Sequence, residues 1–156
     1  MKKMTFIAES RLEGHPKDNP YWVEMGDGYW FRPVLLNTVE NYYTAYYYAD
    51  RNSITSMHYH TGATEMTVLQ GTLVFIEKDI RTVIEAGDFV YVPPGTTHYA
   101  ETIVNKEPMI CFGTIRGAMF LLEPPVNTEP ILDVFDMIEL TQSHYDLLNL
   151  KIDFIL

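Results

Sequence analysis

Short runs of apolar, β-branched and aromatic residues alternate with turn residues along most of the chain. From residue 29 to about residue 122 these runs are rich in Val, Ile, Thr, Tyr and Phe, and Asp, Asn, Gly and Pro separate them. Runs of this length and composition predict β-strands. We predict strands over residues 30–36, 42–48, 54–59, 65–70, 72–77, 81–84, 88–92, 98–103, 108–115 and 118–123. Short strands at near-regular spacing are typical of a sandwich or barrel of the jelly-roll type, so the predicted fold class is all-β.

The two ends of the chain have a different pattern. Residues 1–27 are polar and are interrupted by a His-Pro step at residues 15–16 and an Asn-Pro step at residues 19–20. This pattern predicts an irregular N-terminal arm that lies along the barrel. The barrel itself is predicted over residues 28–125. Within the C-terminal extension, residues 126–156, apolar side chains recur at helical spacing between residues 134 and 148. A short C-terminal helix that packs on the same domain is therefore expected.

The predicted strand over residues 42–48 contains five tyrosines. Successive side chains of a strand point to opposite faces, so aromatic rings must lie on both faces. We expect one face to pack inside the barrel and the other to meet the arm or another subunit. The expected role of these tyrosines is packing rather than catalysis.

Charge and composition exclude several classes of protein. The 156 residues are 47% hydrophobic and carry a net charge of -10, a balance that suits a folded domain and disfavours nucleic acid or anionic membranes as partners. No apolar run approaches the ~18 residues that a membrane span requires. The N-terminus lacks the apolar core of a signal peptide, and the single cysteine, Cys111, cannot form an intrachain disulfide. We therefore expect a cytoplasmic protein with no membrane partner.

Three histidines occur in two short segments with the spacing of metal ligands. His58 and His60 are two residues apart, so on a strand both imidazoles project from one face. Glu65 begins the next predicted strand, after a turn at Gly62. In the second segment, a strand leads to a Pro-Pro-Gly turn and then to His98. His15 and His144 are expected to have no part in a metal site.

These segments resemble the two cupin motifs. The first matches HxHxxxxE, followed by Gly71, and the second matches GxxxxxPxGxxH. Cupins are jelly-roll barrels that bind a divalent metal inside the barrel. The resemblance therefore implies His58, His60, Glu65 and His98 as metal ligands.

The wider chain is similar to a narrower group, the single-domain cupins of the 2,4'-dihydroxyacetophenone dioxygenase type. The segments that carry this similarity are GYWFRPVL at residues 28–35, FIEKD at 75–79 and VFDM at 134–137. In that group the carboxylate ligand comes from the glutamate that matches Glu77. Since this sequence has both glutamates, Glu77 is the alternative ligand, a residue that supports the ligands, or a strand-end carboxylate turned to solvent.

The ligand types indicate a catalytic metal. Three imidazoles and one carboxylate leave two positions open on an octahedral ion, whereas structural zinc sites are usually closed and rich in cysteine. Fe(II) is favoured, and Mn, Ni, Zn and Cu are compatible with the same donors. The resemblance implies an Fe(II) dioxygenase that uses dioxygen to cleave a carbon-carbon bond of a small hydroxyketone or dicarbonyl substrate. It also implies a homodimer, because cupins often form dimers.

Two other functions are known for domains of this fold. Cupin domains also serve as non-catalytic metal-binding sensor modules, for example in anti-sigma factors of the ChrR type. Metal-independent sugar epimerases share the fold, but the complete ligand set argues against that activity. For the enzyme, strand alternation predicts an apolar pocket wall formed by Thr67, Leu69, Leu73, Phe75 and Ala100.

Overall fold

A computed structural model describes residues 12–26, 28–127 and 129–156. A short 3-10 helix spans Pro16–Asp18, and one α-helix, α1, spans Val134–Leu147. The strands are β1 (Val23–Gly26), β2 (Tyr29–Asn37), β3 (Tyr42–Ala49), β4 (Ser53–Ile54), β5 (His58–His60), β6 (Thr64–Gln70), β7 (Thr72–Glu77), β8 (Ile80–Glu85), β9 (Phe89–Val92), β10 (Tyr99–Ile103), β11 (Met109–Arg116), β12 (Met119–Leu121) and β13 (Ile131–Leu132).

The strands form three antiparallel sheets that enclose a common interior. The first sheet has the order β1-β2-β3-β11-β6-β9, the second β4-β10-β7-β8 and the third β13-β12-β5. An isolated antiparallel bridge between His58 and His98 connects the second and third sheets. The prediction of an all-β jelly-roll fold with a short C-terminal helix is confirmed.

The core lies between the sheets and follows the alternation of the strands. In β11, Met109, Cys111, Gly113 and Ile115 are buried, and the residues that alternate with them are more accessible. Cys111 is opposite Tyr47 of β3 and Val68 of β6, so buried side chains lie side by side across the first sheet. The hydrophobic effect acting on these inward rows stabilises the barrel.

One predicted strand, residues 54–59, is divided in the structure. β4 pairs with β10, whereas β5 pairs with β12, so the chain crosses from the second sheet to the third between them. The Thr55 amide donates to the Ala100 carbonyl, and the Thr55 hydroxyl accepts from the Ala100 amide. These bonds hold the crossing beside β10 and bring His58 to the position of the bridge.

The described part of the arm, residues 12–26, lies over the outer face of the tyrosine strand, and the prediction for residues 1–11 lies outside the described residues. Tyr43 and Tyr47 of β3 are buried in the barrel core. Tyr48 points the other way, and its ring packs against Trp22 of the arm at 5.9 Å and against Trp30 at 5.8 Å. The expectation that one face packs inside and the other meets the arm is confirmed. The arm is more regular than predicted, since it contains β1.

The C-terminal helix begins at a capping box. The Asp133 side chain accepts from the backbone of the first turn, and the Asp136 side chain accepts in return from the Asp133 amide. Val134, Met137 and Tyr145 are buried against the barrel. Among the described residues, no helix has the length and apolar character needed to cross a membrane.

Candidate metal centre

The structure brings His58, His60 and His98 together. One ring nitrogen of each residue lies within 4.8 Å of the others, and all three side chains are buried. His58 and His60 share the inward face of β5, while Tyr59 between them stacks on Phe120 outside. The His98 and His58 backbones exchange hydrogen bonds of 2.8 and 2.9 Å, which fix the second segment beside the first.

Backbone carbonyls orient two of the rings. His58 Nδ1 lies 2.6 Å from the Ser56 carbonyl oxygen, and His98 Nδ1 lies 2.9 Å from the Thr96 carbonyl oxygen. Because a carbonyl can only accept, Nδ1 carries the hydrogen in both rings and Nε2 keeps its lone pair. A metal-ligating histidine is usually held in this way.

The surroundings keep the imidazoles neutral. The pKa of His58 is lowered to about 4, chiefly by burial and also by the neighbouring His98, against the opposing effect of the Ser56 carbonyl. Burial, together with His58 and His98, lowers the pKa of His60 to about 3. Burial also lowers the pKa of His98, although the Thr96 carbonyl and Glu77 act in the opposite direction. All three rings can therefore offer a lone pair at neutral pH.

Glu65 does not lie with the imidazoles. Its carboxylate accepts a hydrogen bond of 2.8 Å from the Arg116 guanidinium, and both side chains are partly exposed. The inward positions of β6 belong instead to Thr64 and Met66, which line the barrel cavity. The expected placement of Glu65 beside the imidazoles is corrected accordingly, because strand alternation turns it to the outer face.

Glu77 is a carboxylate that lies outside the histidine cluster but near His98. It lies at the exposed end of β7, outside the group of close ligand atoms formed by the histidines. It nevertheless raises the pKa of His98, so its charge lies near that ring. This position matches a strand-end carboxylate turned to solvent, one of the three alternatives for Glu77.

The imidazoles line a cavity of about 180 Å³ inside the barrel. Of the predicted wall residues, Leu73, Phe75 and Ala100 line this cavity. Thr67 and Leu69 do not, and Leu69 is 50% exposed. Their prediction was wrong for the same reason as the placement of Glu65, since odd-numbered residues of β6 face outward.

Sequence reasoning also missed residues that the structure brings to the cavity. Tyr29, Tyr43 and Tyr47 line it, although the expected role of the tyrosines of β3 was packing alone. The pairing register shows how Tyr47 reaches the interior, because it is opposite buried Phe31 on one side and buried Cys111 on the other. Alternation along β3 allows either its odd-numbered or its even-numbered residues to face the interior. Because tyrosines occur in both sets, the sequence does not show which set faces inward.

The three histidines fit a divalent metal ion. They offer neutral nitrogen donors at close range, with two tautomers fixed by carbonyls. His60 Nδ1 is buried without a hydrogen-bond partner among the described residues. Imidazole donors suit Fe, Zn, Cu and Ni, so the site is a possible metal site whose donors do not select one ion.

Solved structures of other proteins have the same fold as this chain. A cupin described as RmlC-like, from Ralstonia eutropha, superposes with a TM-score of 0.76 at 16% identity, over 86% of this chain and 88% of that chain. An acetylacetone dioxygenase from Acinetobacter johnsonii superposes with a TM-score of 0.71 at 12% identity, over 92% and 93% of the two chains. At these identities the likeness shows the fold alone.

The family of this chain is identified by comparison of its sequence with known families. A search of curated proteins finds no match. The family profile described as the ChrR cupin-like domain matches residues 14–118, a range that contains all three histidines and more than half of the chain. This chain therefore belongs to the ChrR cupin-like family of the cupins.

Proposed function

We propose that this protein is a metal-dependent dioxygenase that cleaves a carbon-carbon bond of a small hydroxyketone or dicarbonyl compound. The observation that carries the proposal is the set of three buried, neutral imidazoles on the wall of a largely apolar cavity. Three protein donors leave coordination positions of an octahedral ion for other ligands, as a catalytic site requires. We favour Fe(II), and Mn, Ni, Zn or Cu would fit the same donors.

The residues around the imidazoles contribute to the proposed activity in different ways. A bound ion would supply positions where substrate oxygens and dioxygen are held next to each other. The Ser56 and Thr96 carbonyls hold two of the ligand rings in orientation. Leu73 and Phe75 are buried and form part of the apolar wall of the cavity, and the Phe75 ring lies 5.4 Å from the His98 ring. The protein thereby contributes orientation and a dry pocket.

The size and lining of the cavity support a small, mainly apolar substrate. The acetylacetone dioxygenase named above shares the fold over nearly its whole length. That protein's name identifies a compact dicarbonyl as its substrate, and a compound of the same class matches the cavity described here. A substrate with two adjacent or 1,3-related oxygens can bind through both of them, which would fix its orientation.

Oxygen consumption tests the proposal. Protein purified without oxygen and loaded separately with Fe(II) or Zn(II) is supplied with hydroxyketones, β-diketones and simple monoketones. We expect oxygen uptake with iron and with chelating substrates only, and none from the matched His98→Ala variant. Absence of uptake across the panel, or equal turnover of monoketones, would contradict the proposed chemistry.

A non-catalytic metal sensor is the second candidate, and the ChrR cupin-like family match favours it. A sensor would bind its metal without consuming oxygen in the presence of any of these compounds. It would instead change its stability or association when the ion binds. The oxygen measurement on the iron-loaded protein therefore separates the two functions.

The homodimer remains a prediction. On the outer face of the first sheet, Phe89 and Tyr91 of β9 are 62% and 53% exposed, and Leu69 of β6 is 50% exposed. Paired strands β6 and β9 place these side chains on one surface. Light scattering on the purified chain would give twice the monomer mass if two copies cover this surface, and the monomer mass would contradict the prediction.

A further inference from the structure

Two hydroxyl groups at the barrel cavity have no hydrogen-bond partner among the described residues. They belong to Tyr47 and Thr64, whose side chains are only 3% and 2% exposed. Both residues line the cavity that the imidazoles share. Buried hydroxyls are normally hydrogen-bonded, because burial without a partner is destabilising. A molecule in the cavity could supply the missing partners.

The two hydroxyls approach the cavity from a different sheet than the imidazoles. Tyr47 lies on β3 opposite Cys111 of β11, and Thr64 lies on β6 opposite Ile115 of the same strand. Cys111 and Ile115 are four residues apart on β11. The position of Tyr47 beside Cys111 and that of Thr64 beside Ile115 are therefore separated by about 13 Å along the strands. A bound molecule would therefore meet hydrogen-bonding groups at more than one point.

Tyr43 is a close neighbour of the Tyr47 hydroxyl. A weak hydrogen-bonding contact with the Tyr43 phenol adds to the effect of burial on the pKa of Tyr47, but its length or angle falls outside the range of an ordinary hydrogen bond. Burial raises the pKa of Tyr47 well above its ordinary value, so the phenol keeps its proton and can donate it. The Tyr47 ring is also held in place by stacking on Tyr29 at 6.2 Å between centroids.

The cavity wall carries no formal charge. Among the described residues, no Lys, Arg, Asp or Glu side chain lines it. A charged group buried there, away from any bound ion, would lose hydration without gaining an opposite charge. The wall therefore favours ligands that are uncharged in the part remote from the imidazoles.

We infer that the cavity selects a small ligand with a third hydrogen-bonding oxygen, beyond the two presented to the imidazoles, and that Tyr47 recognises this oxygen. Thr64 provides a second neutral contact. The inference rests on the proposed function for the orientation of the chelating end. It narrows the substrate class to hydroxyketones or dicarbonyls that carry a further uncharged carbonyl or hydroxyl group.

Binding of two matched probes tests the inference. Titration calorimetry without oxygen compares pentane-2,4-dione with heptane-2,4,6-trione, which has one more carbonyl, on the metal-loaded protein. Tyr47→Phe should weaken trione binding about tenfold and change dione binding by less than about twofold, because only the trione reaches the phenol. Tyr46→Phe is the matched control, since this neighbouring tyrosine lies on the other face of β3 and does not line the cavity. It should leave both affinities unchanged.

A further neutral probe and a charged probe complete the design. If Tyr47→Phe does not fold, the wild-type protein is titrated with heptane-2,4-dione, which has a methylene group in place of the third carbonyl of the trione and should bind about tenfold more weakly than the trione. Equal or tighter binding of heptane-2,4-dione would overturn the inference. The 3,5-dioxohexanoate anion, which replaces the terminal methyl group of the trione by an oxygen atom, should bind at least about tenfold more weakly than the trione.

The outcomes separate this inference from the proposed function. Equal trione affinity in the wild type and in the cavity variant would overturn it, as would equal or tighter binding of the anion. A water molecule bound to the Tyr47 hydroxyl in a crystal structure of the trione complex would also overturn it. Selective trione binding without any oxygen uptake would refute the dioxygenase and leave the inference intact.

Discussion

Glu65 and His98 give the clearest contrast for testing the metal centre. Glu65→Gln removes a carboxylate charge while keeping the size of the side chain. In the structure this carboxylate is bonded to Arg116 on the outer face of β6. His98→Ala removes one of the three clustered imidazoles. If the described arrangement holds the ion, the two variants should differ greatly in metal affinity.

The structure sets the size of the difference. The Glu65 and Arg116 side chains are 38% and 45% exposed, and ion pairs this accessible contribute about 0 to 1 kcal/mol to stability. Loss of the pair should leave metal affinity within about twofold of the wild type. Substitutions of residues that only support a ligand typically cost about 10- to 100-fold in metal affinity. Loss of the His98 ligand itself should therefore cost more than about 100-fold.

Competition with a chromophoric chelator measures both affinities under anaerobic conditions, with Fe(II) and Zn(II) in parallel. Urea denaturation of the metal-free variants establishes that each is folded before the titration. The reasoning is refuted if Glu65→Gln loses metal as severely as His98→Ala. That result would mean that Glu65 leaves Arg116 and turns inward when the ion binds.

Three further predictions concern the histidines and the packing of the barrel. The pKa values of His58 and His60, about 4 and about 3 in the folded chain, lie below the unfolded value of about 6.5, so the unfolded state takes up more protons. The metal-free protein should therefore lose several kcal/mol of stability as the pH falls from about 6.5 to 4, and urea unfolding at several pH values would contradict this if the midpoint stayed constant. His144→Ala should retain full metal content in elemental analysis, because His144 lies on α1 and its Nε2 is bonded to a backbone carbonyl of the arm. Gly113→Ala should lower stability by about 1 to 3 kcal/mol, since the added Cβ would lie 2.6 Å from Met66 Cγ, and an unchanged denaturation midpoint would count against this packing.

The fold could be predicted because its signals are local and repeated. The alternation of β-branched and aromatic runs with turn residues indicates strands wherever it occurs, and β7 spans the same residues as its predicted strand. Apolar spacing likewise predicted α1 to within one residue of its end. The division of residues 54–59 could not be predicted, because it depends on which partner strand each half finds.

The candidate site could be predicted in part for a related reason. His58 and His60 are two residues apart on one strand, so their shared face follows from alternation alone. Glu65 is the second residue of the next strand, β6, and the face on which it lies depends on the geometry of the turn before that strand. In the structure the even-numbered positions stay inward across that turn, from His60 to Thr64 and Met66. Continuing the alternation from the histidines would have placed Glu65 outside.

The outward position of Glu65 changes the charge balance of the site. Three neutral imidazoles bring no negative charge to a divalent ion, and no carboxylate among the described residues lines the cavity. The nearby charge of Glu77 acts from an exposed strand end, where water screens it. An ion held by the triad would therefore keep most of its positive charge, and the substrate is the component that can offset it. A β-diketone does so by releasing one proton as its two oxygens bind, whereas a simple ketone cannot. The absence of a carboxylate from the triad therefore favours chelating, acidic carbonyl compounds at the imidazoles, while the uncharged wall around Tyr47 restricts the rest of the molecule to neutral groups.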